Sequence, residues 1–176
     1  LTNETVTVTP KGEDVGFVDG EGVTITVTGS QTEKGDSDNT FTYIFNEGTN
    51  EADYSVTSNY GKLTVTPNAN EVVVTITEHS GEFEYDDTEK SVSGYDFKAS
   101  NELYKQGDFT FTGDATVKGT NVGNYDMELK PSDFTNNNQN FSKVTFVIVD
   151  GQLSITSKSI ETGKDMTVEK PADVLY

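Results

Sequence analysis

The segment Val23-Thr24-Ile25-Thr26-Val27-Thr28 alternates apolar residues with threonine. A period of two sends neighbouring side chains to opposite faces of an extended backbone, so that one face is buried while the other meets solvent. Residues 5–9, 63–66 and 73–77 show the same alternation. Because β-branched side chains pack well on a pleated surface, all four segments are predicted to be half-buried β-strands.

The rest of the sequence carries further strand signals. We predict five more strands, at residues 41–45, 109–111, 125–129, 144–149 and 153–155. Clusters of Gly, Asn and Asp between strands are predicted to form turns, at residues 19–20, 35–39, 59–61 and 150–151. A single helical turn opened by Pro131 is predicted at residues 130–134. Short strands separated by frequent turns indicate an all-β protein.

Composition and charge exclude several classes of function. The 176 residues include 30 acidic and 12 basic ones, all of them Lys, for a formal charge of −18. A nucleic-acid-binding face needs clustered Lys and Arg, and anionic membranes repel such a chain, so neither partner is expected. The lack of Cys rules out disulfides and thiolate sites, and the single His79 rules out a multi-histidine zinc site within the chain. No cofactor is predicted.

The sequence contains neither the pattern of a signal peptide nor an apolar stretch long enough to span a membrane. It starts abruptly at Leu1 and stops at Tyr176 in the middle of a repeated pattern. We therefore expect a piece of a longer protein, with any export or anchoring segment outside it.

Matching blocks recur in the same order and indicate a tandem repeat. The matched pairs are residues 3–19 with 70–86, 48–54 with 119–125, 61–66 with 151–156, and 75–85 with 166–176. These pairs predict a first, short β repeat at 1–67 and a second, longer repeat at 68–160 that contains an insertion at 129–149. Residues 161–176 are predicted to be a linker and the truncated start of a third repeat.

The second copy resembles a known repeat over most of its length. The residues that carry the resemblance are 85–95 (YDDTEKSVSGY), 119–125 (GTNVGNY), 133–136, 140–141, 144–146 and 150–153 (DGQL). In this order they resemble the MBG ("mostly beta, glycine-rich") repeats of large bacterial surface proteins, and residues 41–67 are similar to a shorter variant. The sequence departs from that pattern at Asp87, where the usual Tyr-Asp-Gly turn lacks its Gly, and at Val18, where the Tyr is missing. The resemblance implies extracellular, non-catalytic modules, often of Gram-positive bacteria.

The repeated glycines and tyrosines are predicted to have structural roles. The motif Gly-Thr-Asn-x-x-x-Tyr resembles the corner of immunoglobulin-like sandwiches in which a Tyr hydroxyl bonds back to upstream backbone. Its tyrosines are Tyr54 and Tyr125, and the glycines of the matched blocks are Gly48, Gly119, Gly61 and Gly151. Since the linkers between copies are short, we expect tandem small immunoglobulin-like β-sandwich modules arranged end to end.

Other residues offer candidate chemistry. Asp36, Asp38 and Asn39 present oxygen ligands beside Gly35 and are calcium candidates, although the full spacing of a calcium motif is lacking and a plain turn also explains them. The carboxylates within residues 82–89 fit a solvated face and turn rather than a glycosidase pair. His79 is predicted to be an exposed residue rather than a ligand or base.

Two functions from different classes remain. We expect either a stalk or spacer in a bacterial cell-surface protein, or an adhesive module that binds host or plant glycans, glycoproteins, mucin or polysaccharide. The Asn-rich residues 136–140 are predicted to form a polar loop, where recognition would be expected if there is any. No enzymatic activity is predicted, and the expected partners are neighbouring repeats of the same chain, with the protein itself a monomer.

Overall fold

The computed structural model describes residues 2–4, 6, 16–161 and 164–165. In these residues the protein is mostly β, with fourteen strands and three 3-10 turns. The strands are β1 Val23–Val27, β2 Gly35–Asn39, β3 Phe41–Phe45, β4 Gly61–Val65, β5 Val72–Glu78, β6 Gly81–Glu84, β7 Lys90–Ser93, β8 Tyr95–Ala99, β9 Phe109–Phe111, β10 Thr116–Gly119, β11 Gly123–Asp126, β12 Phe134–Asn136, β13 Val144–Val149 and β14 Gln152–Thr156. The 3-10 turns are Glu51–Asp53, Gln106–Asp108 and Pro131–Asp133. None of the helical turns in this part of the chain is long enough to cross a membrane.

The all-β prediction is confirmed, and seven of the predicted strands are present as β1, β3, β4, β5, β9, β13 and β14. The single turn opened by Pro131 is also confirmed, because Pro occupies the first helical position of a 3-10 turn. The strand predicted at residues 5–9 and most of the predicted third repeat lie outside the described residues.

Two sequence predictions are wrong. Residues 35–39 form strand β2 rather than a turn, because they pair antiparallel with all five residues of β4. The strand predicted at 125–129 stops at Asp126. Glu128 has a φ of 63°, a left-handed conformation that breaks a strand.

Two compact units divide the chain. The first lies within residues 1–70 and 139–142, and the second within residues 71–138 and 143–176. The repeat bounds 1–67, 68–160 and 161–176 are derived from matching sequence blocks, not from compactness, and they stay a prediction.

The first unit contains two antiparallel pairs, β1 with β3 and β2 with β4. Aromatic rings pack beside them, with the centroid of Phe17 4.8 Å from that of Tyr54 and 6.5 Å from that of Phe45. Among the described residues of this unit, the buried large apolar side chains are Leu63 and Phe141.

The second unit has two three-stranded sheets, in the orders β13-β5-β8 and β11-β14-β6. Each sheet contains one parallel pair, and it joins strands that are far apart in sequence: β13 runs parallel to β5, and β14 runs parallel to β6. The remaining strands form the antiparallel ribbons β7–β10 and β9–β12.

Alternation along β5 builds much of the core of the second unit. Val72, Val74 and Ile76 point inward and are at most 1% exposed. Burying a side chain of this size contributes about 1.5–3 kcal/mol. Rings of the β9–β12 ribbon face the same sheet, since Phe109 and Phe134 each lie 5.5 Å from the Phe146 ring of β13.

Candidate functional site

The most distinctive site lies where the parallel ladders of the second unit are interrupted. Residues 72–77 pair with 144–149, and residues 81–84 pair with 153–156. The offset between partners is the same in both ladders, so neither strand gains a residue across the interruption. We call residues 78–80 and the facing residues 150–152 the ladder gap.

Side chains replace the missing ladder bonds in this gap. Glu78 is 3% exposed, and its two carboxylate oxygens accept hydrogen bonds from the backbone N–H groups of Leu129 at 2.7 Å and Gly151 at 2.8 Å. The hydroxyl of Ser80 accepts a third bond, from the N–H of Gln152 at 3.1 Å. The arrangement of Glu78, Leu129 N–H and Gly151 N–H is called the Glu78 bridge. It connects β5 to the segment after β11 and to the segment before β14.

Gly151 has a steric reason to be glycine. A β-carbon at this position would press on the carbonyl oxygen of His79 and lie 2.6 Å from that of Glu78. Both obstacles are backbone atoms, which cannot rotate away as a flexible side chain would. The role predicted for Gly151 is structural, and in the structure this glycine lets its own backbone lie close to the backbone of Glu78 and His79.

Gly61, its counterpart in the first copy, lies in open surroundings. The nearest atom to a β-carbon there would be the β-carbon of Asn39, at 4.0 Å. The two glycines align in sequence, but only Gly151 is held at a close backbone contact.

His79 lies on the outside of the ladder gap. Its Nδ1 is 2.9 Å from the carbonyl oxygen of Ser93, and its Nε2 is 3.4 Å from the carboxylate of Asp96. The Ser93 carbonyl first, and then the Asp96 carboxylate, raise the pKa of His79 above its usual value. The side chain is exposed, as the sequence predicts.

The corner motif of the second copy packs as a unit. A β-carbon at Gly119 would lie 2.5 Å from the Tyr125 ring, so the ring occupies the space that a larger residue would fill. The Tyr125 hydroxyl donates to the carbonyl oxygen of Asn121 at 2.9 Å, an upstream backbone bond of the predicted kind.

The same motif in the first copy makes different contacts. The Tyr54 hydroxyl donates to the carboxylate of Glu21 and accepts a bond from the N–H of Val18 at 3.2 Å. The bond to Glu21 is the main cause that raises the pKa of Tyr54. Gly48 has a φ of 88° and no atom within 4 Å of a β-carbon position, so backbone conformation, not space, favours glycine there.

The calcium candidates lie along a strand. Asp36 and Asp38 share the exposed face of β2, while Asn39 is half-buried at its end. The Asp36 carboxylate accepts a bond from the Thr64 hydroxyl at 2.6 Å and lies 3.6 Å from the Lys62 ammonium, and these contacts lower its pKa. Within the described part of the chain no three acidic or His side chains come together as a metal site would require.

Residues 85–90 form a tightly bonded turn. Asp86 accepts bonds from the Thr88 N–H at 3.0 Å, from the Thr88 hydroxyl at 2.5 Å and from the Lys90 ammonium at 2.6 Å. The Lys90 bond first, and then those from Thr88, lower the pKa of Asp86 to about 2. Asp87 has a φ of 65°, the conformation that glycine adopts most easily, at the position where the resembled repeats have Gly.

The Asn-rich run is engaged within the protein. Asn136 accepts a bond from the Tyr104 hydroxyl at 3.0 Å, and Asn137 donates to the Thr110 hydroxyl at 2.5 Å. Asn140 donates to the Glu33 carboxylate and accepts from the Lys34 N–H at 2.6 Å. These amides therefore support the fold.

Sequence reasoning missed Glu78 and Ser80, although a signal for Glu78 was present. The residue follows Val74 and Ile76 at a spacing of two, which places it on the buried face of the strand. A carboxylate in phase with a buried apolar row needs partners, and backbone N–H groups supply them.

Comparison with known proteins identifies no relative. No protein-family profile, curated protein or solved structure matches this chain.

The matched glycines give the first test. Gly151→Ala should lower the free energy of unfolding by about 3 kcal/mol, because the new methyl group meets the backbone carbonyl oxygens of both Glu78 and His79. Gly61→Ala, the control from the other copy, should change it by less than about 1 kcal/mol. Urea unfolding followed by circular dichroism measures both. Equal losses in the two variants would show that Gly151 has no special contact.

The second test concerns pH. Since the folded-state pKa of Asp86 is about 2, below the ordinary value of 3.8, its stabilising contribution is present above pH 3.8 and is lost as pH falls through about 2. Carboxyl chemical shifts measured by NMR should show this low midpoint, and Lys90→Met should raise it toward 3.8. Lys118→Met removes the same charge from an ion pair with Glu89 and should leave Asp86 unchanged. An unchanged midpoint in Lys90→Met would contradict the assignment.

Proposed function

We propose that this chain is a non-catalytic extracellular module that acts as a stalk or spacer in a large bacterial surface protein. In this proposal its repeats are small immunoglobulin-like β-sandwiches arranged end to end. The ordered matching blocks and the resemblance to MBG repeats support the proposal at the level of sequence.

The direction of two strand pairs is the observation that carries it. β5 and β6 begin the second unit, β13 and β14 end it, and the two pairs run parallel. Val72 therefore lies beside Val144 at one end of the ladders, and Glu84 lies beside Thr156 at the other end. The chain therefore first enters the ladders at one end, before Val72, and finally leaves them at the opposite end, after Thr156.

This direction matters for a spacer. With antiparallel outer strands the chain would enter and leave at the same end, and the module would add little distance. The twelve steps from Val72 to Glu84 correspond to at most roughly 40 Å of extended backbone. Each module of this topology thus contributes its own length to a stalk.

Charge supports the same role. A formal charge of −18 disfavours association between copies and keeps an extended protein soluble. We expect the protein to be a monomer whose partners are the neighbouring repeats of its own chain.

The alternative function, an adhesive module, is distinguished from the spacer by whether the protein binds glycans. The segment that the sequence favours for recognition is the Asn-rich run at 136–140. Its side-chain amides form hydrogen bonds within the protein, with residues such as Tyr104 and Thr110. Recognition of glycans would need polar groups that remain available to the ligand.

Small-angle X-ray scattering tests the spacer proposal. A compact chain of this length would have a radius of gyration of about 16 Å, whereas modules placed end to end should exceed about 20 Å. The value should persist at 1 M NaCl, about where screening removes charge repulsion, so that rigidity is distinguished from electrostatic expansion.

The second part of the test measures binding of the protein to a glycan and mucin array, with and without calcium. The spacer proposal predicts no saturable binding. A compact particle in scattering would contradict the spacer, and saturable binding to one sugar class would favour the adhesive module instead.

A further inference from the structure

We propose that the second unit bears tension, because a pull along the chain loads its parallel ladders in shear. This inference goes beyond spacing, and it takes its biological meaning from the proposed stalk. Its physical basis is the pairing of the first strands of the unit with its last strands.

The pairing determines how force reaches the hydrogen bonds. Six residue pairs join β5 to β13, and four join β6 to β14. A pull on the chain before Val72 and after Thr156 draws the two parallel strands in opposite directions along their own axes. Many ladder bonds must then fail together, whereas a pull at adjacent strand ends opens them one at a time.

The ladder gap strengthens rather than weakens this arrangement. Gly151 N–H is bound by Glu78 and Gln152 N–H by Ser80, so bonds across the gap continue the ladder. Under this pull β13 and β14 would slide toward their carboxyl ends, and Asp150 would move into the place of Gly151. Its β-carbon would then press on the backbone of Glu78 and His79. The gap is therefore a steric stop against sliding.

The core opposes sliding as well. Phe146 of β13 lies 5.5 Å, ring to ring, from both Phe109 and Phe134, which belong to a different ribbon. Moving β13 along β5 would pull this ring out of its packing. Close-packed interiors resist such displacement because few empty spaces exist to receive the ring.

Single-molecule pulling in two directions tests the proposal. Because the chain has no Cys, handles can be attached to introduced thiols in the otherwise unchanged chain. Asn70→Cys with Lys158→Cys applies shear, and unfolding between them should release about 30 nm of chain. Glu89→Cys with Lys158→Cys pulls near adjacent ends of β6 and β14 and applies peeling. At one pulling speed, we expect the shear geometry to need a several-fold higher force. Equal forces in both geometries would overturn the proposal.

Variants locate the resistance. Ser80→Ala should lower the shear force while the protein stays folded, and Glu78→Ala should lower it further. Leu63→Ala in β4 removes buried apolar volume from the first unit, outside the pulled segment, and serves as the control. It should leave the shear force near that of the unchanged protein, since forced unfolding follows the barrier along the pulling direction. A loss in Leu63→Ala as large as in Ser80→Ala would contradict a role for the ladder gap.

Different measurements contradict the two proposals: pulling experiments test the load-bearing role, and scattering tests the spacer. Low shear force from a protein that is extended in scattering would overturn the load-bearing role and leave the spacer. High shear force from a compact protein would do the reverse.

Discussion

The carboxylate of Glu78 holds together three segments of the second unit. It is almost fully buried and accepts one backbone N–H from Leu129 and one from Gly151. These donors lie where regular pairing is interrupted, so without the carboxylate they would be buried and unsatisfied. Each such group costs about 1–3 kcal/mol. The continuous register of the parallel ladders across the gap, the fit of Gly151 and the proposed resistance to shear all depend on this bridge.

Residues that match between the aligned sequence blocks make different contacts in the structure. Tyr125 bonds to upstream backbone and lies over Gly119, whereas Tyr54 bonds to the side chain of Glu21. Gly151 is pressed against backbone, whereas Gly61 has open space. Matching sequence blocks thus do not guarantee matching contacts, because the contacts depend on what the surrounding segments supply.

The sequence predicts strands well where burial alternates within one segment. β1 and β5 show this, since their inward residues are apolar, apart from Glu78 at the end of β5, and their outward residues are mostly Thr. It fails at β2, where Gly-Asp-Ser-Asp-Asn has poor strand propensity and becomes a strand through pairing with β4. The sequence also cannot reveal that β5 pairs with β13, because the paired residues are 72 positions apart in the chain. The burial of Glu78 could therefore be predicted from its own strand, but its hydrogen-bond donors, the N–H groups of Leu129 and Gly151, could not.

The stability of Glu78→Ala tests this account most directly. The substitution leaves two buried N–H groups without an acceptor, and we predict a loss of about 3 kcal/mol or more in the free energy of unfolding. Glu82→Ala, an exposed carboxylate on the adjoining strand β6, should change it by less than about 0.5 kcal/mol. A similar small change in both variants would show that the Glu78 bridge does not hold the second unit together.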